Sequence, residues 1–564
     1  MADITGKKTI FFVTSPRSPH KLIDEIKFLT ENFTGKTWNT ETQKEFYSAL
    51  IKQGFSEGSV TGDIAFKARD RINRAPKSLG LVDLKPTIQL TEAGKRFIYG
   101  KRPEEIFLRQ LLKFQLSSPY HPDKDNIFNV KPYLELMRLI YDLENISKTE
   151  IALFVVQLTN VANYRIIKNK IEKFRAGIKT LRANRISYKT FVLNTFLSEL
   201  TALFEQEIES HDIAIRESKD ISLKKFILTK RRNHLDYADA AVRYLRATGI
   251  FTIDPRTVKV HVIPERLKDL EYILENISKD SKFKDDEKEY KKYLFNPDLP
   301  LLLTDDKKLL IEKIIVKGSS VKPEDLELME IERLKDIYQG IIIEKTNQLV
   351  ITEKAKLKTY QEYEDIIKTF DEIEKKEIAD PPLFFEWNIW RAFAMLNDGD
   401  ISGNFKIDDN GIPLYTAAGN IADITCKYKD FETIVEVTIS SGHKQYEMEG
   451  EPVARHYGDY KKSTNKDVYC IFIAPQLSGA TIAHYYVLYR TNIEKYGGKA
   501  KIIPISLSDF KQLLSNAYKA ERKPTSIEIK KLWQEFASLA LETNSEVEWY
   551  RAISFKTKTA FQDI

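Results

Sequence analysis

Residues Gly419–Tyr457 read GNIADITCKYKDFETIVEVTISSGHKQYEMEGEPVARHY, and they hold two candidate strands, Ile421–Tyr428 and Glu432–Ser440, joined by a polar turn at Lys429-Asp430. In the first, Ile424 and Tyr428 alternate with Asp423, Thr425 and Lys427, the period-2 pattern of a half-buried strand. The second runs TIVEVTI, rich in β-branched residues, with Glu436 at its centre. A hairpin turning on Lys429-Asp430 sets Asp423 directly opposite Glu436. A three-residue turn would shift the register by one and put the two acids on opposite faces. Facing like charges destabilise a sheet, and a charge within an apolar strand has to be paired or neutralised. A divalent cation shared by the two carboxylates removes both difficulties. Mg²⁺ suits such a pair, because it takes one or two carboxylates and keeps several waters.

Further acids surround the hairpin. Glu386 lies upstream in the aromatic helical stretch LFFEWNIWRAF, and Glu447, Glu449 and Glu451 follow downstream. FFEWNIW, AAGNIADI and VEVTISSGHKQYEMEGEPVARHY together resemble the catalytic half of the AlwI-like family of Type IIS restriction endonucleases, which includes strand-nicking and GAGTC-reading members. The likeness extends over nearly the whole chain. It implies a nuclease core of the PD-(D/E)XK type using Mg²⁺. By matching positions it makes Asp423 and Glu436 the metal-binding acids, with the Val437 backbone carbonyl beside them. It makes Glu386 the acid of the core's first helix and Glu449 a further catalytic acid. Two positions depart from the family pattern: Ala422 stands where the first acid has a proline before it, and Thr438 stands at the lysine position. The group that activates the attacking water is therefore open between Lys444 and a second metal. Arg455 and His456 either contact the scissile phosphate or pair with Glu449 and Glu451.

The chain has 564 residues, enough for roughly three or four domains. Hydrophobic residues make up 42%, which provides for real cores. Eighty-eight basic residues face 82 acidic ones, a net charge of only +6, so any DNA-binding surface has to be local. Cys426 and Cys470 lie in apolar strand-like sequence and read as buried thiols of a reducing compartment. No apolar run approaches the ~18 residues of a membrane span, and the N-terminus lacks a signal peptide's character. The expected location is the cytoplasm, with no membrane partner.

Outward from the hairpin, DVYCIFIA (Asp467–Ala474) and KIIPIS (Lys501–Ser506) read as fully buried parallel strands, each followed by a helix. A helix is expected over Leu383–Leu396. Toward the N-terminus, Ile10–Thr14 reads as a short strand before the Ser15-Pro16-Arg17-Ser18-Pro19 run. That run is either a surface loop or, as the resemblance implies, an arm contacting DNA through Arg17. Ala65–Phe97 reads as a basic helix, two short strands and a helix capped by Thr91, the order of a winged helix. Its first helix carries Lys67, Arg69, Arg71, Asn73, Arg74 and Lys77. These form either a solvated face or a DNA-reading one, since Asn and Arg suit adenine and guanine edges. Lys230–Leu267 repeats the order, with Arg231, Arg232, Arg243 and Arg246 as phosphate or base contacts. Pro103–Leu116 and Tyr133–Val161 read as supporting helices. Asn169–Asn184 is amphipathic with a core-facing side, and a lone His121, His211 or His234 reads as structural.

The expected fold class is a multi-domain α/β protein. Residues 1–278 form a DNA-recognition region with two winged-helix-like subdomains, and 279–379 a helical linker interrupted by one strand-like piece, Gln348–Ile351. Residues 380–564 form a PD-(D/E)XK nuclease domain with a mixed sheet flanked by helices. The leading functional expectation is a Mg²⁺-dependent endonuclease that cuts double-stranded DNA at a fixed offset from a short asymmetric site. A single core cuts one strand at a time, so double-strand cleavage calls for a second chain, either another copy or a small subunit. A cognate DNA methyltransferase would protect the host. The competing readings are a non-catalytic winged-helix regulator with a degenerate nuclease domain, and a structure-directed repair nuclease.

Overall fold

A computed structural model describes the chain apart from residues 1–2, 17–18, 20, 54–62, 182–185, 216–217, 219, 255–258, 376, 379, 397–398, 408–410, 417–420 and 563. It divides into two compact units, residues 1–254 with 258–341 and residues 342–564. The division falls inside 279–379, the stretch expected as a helical linker.

In the first unit, helix α1 (Ile64–Ile72) is capped by Asp63, which accepts from the Phe66 N–H at 2.8 Å. It buries Ala65, Ala68 and Ile72 and runs into a π-helical turn, Asn73–Lys77, where Pro76 removes a backbone donor. Strands β1 (Val82–Asp83) and β2 (Gln89–Leu90) pair antiparallel, and α2 (Glu92–Tyr99) follows. Thr91 caps α2 as expected, its Oγ1 accepting from Gly94 N at 3.0 Å while donating to the Gly80 carbonyl at 2.6 Å. Gly80 needs its lack of a side chain: φ is +68°, and a Cβ would run into Leu294.

Helix α3 (Pro103–Lys113) and α4 (Pro132–Asp142) come next. The continuous helix expected over Tyr133–Val161 is broken after α4, where Glu144 takes a positive φ of 64° and β3 (Asn145–Ser147) follows. Helix α5 (Tyr164–Thr180) buries Ile167, Ile171 and Phe174, so its apolar face is core. The 24-residue α6 (Leu223–Arg246) leads to β4 (Phe251–Ile253) and β5 (Lys259–Val262), which with β3 make an antiparallel sheet in the order β3-β5-β4.

Aromatic rings hold the centre of this unit. Tyr133 and Tyr244 stack at 6.3 Å, and Phe12 and Phe114 meet Tyr133 edge-on. Ile10–Thr14 belongs to no sheet, contrary to expectation. Its backbone is satisfied by partners from elsewhere: Ile10 N donates to Val156 O (2.8 Å) and Val13 N to the Tyr133 hydroxyl (3.2 Å). The next residues are fastened too, with Ala75 N donating to Ser15 O and the Tyr244 hydroxyl to Pro16 O. Arg17 and Ser18 lie outside the described residues.

His121 and His234 are buried here, as structural histidines. Burial pulls His121 down to about 3, with Lys7 and Lys77 adding to it, and pulls His234 down to about 4 against the raising effect of its hydrogen bond to Ala152 O. Both are neutral when folded, whereas the unfolded chain protonates them below about pH 6.5. Their contribution to stability is thus complete above about pH 6.5 and is lost as pH falls toward 4 and 3. The loss approaches about 1.4 kcal/mol per histidine for each step of one in pH. Thermal unfolding followed from about pH 7.5 down to about pH 4.5 is expected to show a falling midpoint, with a shallower fall in His234→Gln.

Helix α7 (Ile331–Lys358) contains the division between the units. Gln348–Ile351 lies within it and is not a strand. A three-residue apolar run, Leu349–Ile351, has no period of its own, and the Glu- and Lys-rich sequence on both sides is helix-forming.

In the second unit, α8 (Tyr363–Glu374) packs on α9 (Pro381–Leu396), whose residues are buried nearly all round. The five-stranded mixed sheet runs β12-β11-β10-β9-β6, formed by β6 (Asp400–Gly403), β9 (Ile424–Lys427), β10 (Phe431–Val437), β11 (Asp467–Ala474) and β12 (Ile502–Ser506). β7 (Phe405–Ile407) and β8 (Pro413–Thr416) form a separate ribbon. β10, β11 and β12 are parallel, as the apolar runs predicted, and β9 is antiparallel to both β10 and β6. Helix α10 (His443–Ser463) crosses from β10 to β11, and α11 (Gly479–Arg490) and α12 (Leu507–Lys519) flank the sheet with two C-terminal helices, Ser526–Glu542 and Glu546–Thr559. Cys426 and Cys470 are buried free thiols. Among the described residues no helix is long and apolar enough to cross a membrane.

Candidate functional site

The β9–β10 hairpin takes the expected register. Tyr428 N donates to Phe431 O around the two-residue turn, and the ladder pairs Glu432 with Lys427 through Val435 with Ile424. One step further along that register stand Asp423 and Glu436, on the same face. Both strands are shorter than expected, and Asp423 lies beyond the ladder with β10: its backbone O accepts from Asn404 N, and its Oδ2 accepts from Val437 N at 2.9 Å.

Three of the four predicted acids are each held through one oxygen by a different partner. Val437 N–H holds Asp423 Oδ2, the Thr416 hydroxyl holds Glu386 Oε2 at 3.1 Å, and His456 Nδ1 lies 2.8 Å from Glu436 Oε1. Among the described residues the second oxygen of each accepts no hydrogen bond. Glu386 comes from α9, which packs against β8, β9 and β10. Glu449 comes from α10, seven residues and two turns before His456, so both point from one face of that helix.

The acids feel one another's charge. Burial raises all of Glu386, Asp423 and Glu436 well above the usual carboxylate range. Repulsion then adds to it: Glu386 from Asp423 and Glu449, Asp423 from Glu436 and Glu449, Glu436 from Glu449 and Glu386. Glu432, earlier on the same strand as Glu436, shows the contrast: Tyr460 donates to it at 2.9 Å and Lys466 lies 3.5 Å away. Among the described residues no lysine or arginine pairs with Glu386, Asp423 or Glu436.

Half-buried and buried carboxylates that repel one another offer the hard oxygens that suit a hard divalent cation. Among the described residues no group of three or more His, Cys, Asp or Glu side chains stands together in a way that could hold a metal ion. Two carboxylates and a backbone carbonyl are the smaller set that the sequence nominates.

His456 is the residue whose role sequence left open. It meets neither Glu449 nor Glu451 but Glu436, twenty positions back; Glu451 is taken instead by Arg455 and Lys495. Glu447 pairs outward with His443. Thr438 is buried, its N–H on Ile473 O, and Lys444 is exposed on the first turn of α10 with no contact to the acids.

The predicted DNA contacts divide more sharply. Lys67 lies over the Tyr47 ring (5.9 Å), and Arg69 reaches Gln43 (3.0 Å) and Asp63 (3.7 Å). Arg71 pairs at 2.7 Å with Glu25, whose side chain is 1% exposed, so it serves the core. Asn73 Oδ1 is buried. Arg231 lies over the Phe196 ring, Arg243 pairs with Asp239, and Arg246 is only 2% exposed. Arg232 is exposed, and Arg74 is 45% exposed while held by Asp70 and Thr14. Arg246 follows Arg243 by three residues, on one helix face, yet it is buried. The sheet packed after α6 covers that end of the helix.

The profile of the AlwI restriction endonuclease family matches residues 77–513. The chain belongs to that family. The matched span contains all four acids and the whole of α6, but begins only at the end of the first basic helix. This AlwI-family protein is therefore a restriction endonuclease, and DNA is its substrate. Two solved structures are also similar. One is the small subunit of the heterodimeric restriction endonuclease R.BspD6I, 26% identical over 34% of this chain and 98% of that one, with a TM-score of 0.30. The other is the BpuJ1 endonuclease binding domain in complex with pyrene- and phenanthrene-modified DNA, 12% identical over 51% and 97%, with a TM-score of 0.33. Neither likeness is close enough to bear on fold or partner. None of the curated proteins matches the chain.

Proposed function

We propose that the chain is a Type IIS enzyme that binds a short asymmetric site through its first unit and hydrolyses a phosphodiester outside it with Asp423, Glu436, Glu386 and Glu449. The observation that carries this is half-buried Asp423 and buried Glu436 on adjoining strands, with no lysine or arginine ion-paired to either among the described residues. Asp423, Glu436 and the Val437 carbonyl would hold Mg²⁺ in a core of the PD-(D/E)XK kind. Mg²⁺ held there would supply a water of lowered pKa and offset the negative charge that builds on the phosphoryl oxygens. The protein's part is to fix the ligands. Val437 N–H orients Asp423, His456 orients Glu436, and Thr416 orients Glu386, each keeping one oxygen for the site. The helix–ribbon–helix of α1, β1, β2 and α2 and the helix–ribbon of α6, β4 and β5 serve as winged-helix-like readers. GAGTC is the site that the family resemblance suggests. One set of acids per chain cuts one strand, so a nick is the primary product, and double-strand breakage needs a second copy or a small subunit. A methyltransferase of the same specificity protects the host.

Supercoiled plasmid incubated with protein and Mg²⁺ tests this. Open-circle product with one run-off end at a constant distance from a recurring sequence is expected. Protection of the site without breakage would instead favour a DNA-binding regulator, and breakage without sequence preference a repair nuclease. His456→Ala, which removes only a positioning group, is expected to raise the Mg²⁺ concentration for half-maximal cutting by about 10- to 100-fold, with DNA affinity measured without metal unchanged.

A further inference from the structure

In the first unit, Thr14, Arg74, Asn233, Asp236, Tyr237, Asp239 and Ala240 line a cleft of about 400 Å³. One wall is a single stripe of α6, because positions 233, 236, 237 and 240 follow the i, i+3, i+4, i+7 spacing of one helix face. The opposite wall is Arg74, on the π-helical turn after α1, together with the pinned segment ending at Thr14. The two basic helices thus meet across this cleft.

Its charges are not equivalent. Asp70 neutralises Arg74 in part at 2.5 Å, and Asp239 is taken by Lys148 (2.6 Å) and Arg243 (2.9 Å). Asp236 is exposed and has no ion pair or hydrogen bond among the described residues, and Asn233, one turn before it, has no hydrogen bond either. With Asp70 and Asp239 taken up by their partners, the remaining charges beside Asp236 are cationic: Arg74 stands across the cleft and Arg232 is exposed beside Asn233. A carboxylate aimed at phosphate would be repelled, so an unpaired one retained among cations on a DNA-binding surface points to the base edges. There the group that a carboxylate accepts from is an amino hydrogen, above all cytosine N4. The stripe is also rigid. It is part of a 24-residue helix, and Tyr237 packs against Phe11 at 6.5 Å.

We propose that this cleft reads base edges in the major groove and that Asp236 selects a C·G pair by accepting from cytosine N4, with Asn233 and Arg74 reading beside it. This rests on the endonuclease reading above. The test uses the full-length protein and a pool of duplexes with a randomised centre, selected by gel retardation without divalent metal, so that its readout needs no cleavage. The wild type is expected to enrich one sequence. Asp236→Asn, a near-isosteric change at an exposed side chain, is expected to lose about 10- to 100-fold of preference at one C·G position and to keep the rest. Asp236→Glu restores part of it. Arg232→Ala is expected to weaken all sequences equally and to reduce the salt slope by about 0.9. An unchanged preference at every position in Asp236→Asn, or an equal loss over all sequences, overturns the proposal and leaves the endonuclease standing. A wild type that enriches nothing and cuts nothing overturns both.

Discussion

Asp423→Asn is expected to reduce plasmid cleavage in Mg²⁺ by at least ~10³-fold, on the order of 4 kcal/mol of transition-state stabilisation, while site-specific gel retardation persists. The substitution is nearly isosteric, and the Val437 N–H keeps an oxygen to donate to. It also removes a charge that burial and Glu436 make costly, so the folded protein is expected to be no less stable in the absence of metal. Lost cleavage with kept binding and kept stability separates chemistry from reading and from folding. Persistent cleavage would remove Asp423 from the mechanism.

Arg109→Ala is expected to produce the largest loss of stability, about 3–5 kcal/mol, confined to the first unit. Arg109 is 2% exposed, and its guanidinium donates to the carbonyls of Asp298 (2.8 Å) and Pro300 (2.6 Å) and to the carboxylates of Glu105 (2.6 Å) and Asp305 (2.7 Å). Lys335, at the start of α7, reaches the same two carboxylates at 3.1 and 2.6 Å. Without Arg109, Asp305 keeps only Lys335 as a cationic partner, Glu105 keeps Lys335 and a longer contact to Arg102 (3.7 Å), and two carbonyls lose a donor. Arg109→Lys recovers only part of the loss, because a point charge cannot serve carbonyls and carboxylates in one plane. Calorimetry reads this as a lowered first transition; an unmoved transition would show the network to be dispensable.

How much of this was legible in sequence depended on whether a residue's role is settled locally. The hairpin register follows from β-branched alternation and a two-residue turn, both local, and so places Asp423 against Glu436. The same holds for the apolar runs within 467–474 and 501–506 and for the Thr91 cap. Expectation and structure part where distant partners decide. Ile10–Thr14 has strand-like composition, but its backbone bonds go to Val156 and Tyr133. Arg71 and Arg246 have the composition of a DNA-reading face, yet a buried Glu25 claims one and the core covers the other. His456 against Glu436 and the cleft joining Arg74 to Asp236 bring together positions that no sequence period connects.

A cation shared by Asp423 and Glu436 is the central claim, and Mn²⁺ titration followed through the EPR signal of the free ion measures it directly. The wild type is expected to bind Mn²⁺ at a site that is lost in both Asp423→Asn and Glu436→Gln. Undiminished Mn²⁺ binding in both variants would contradict it.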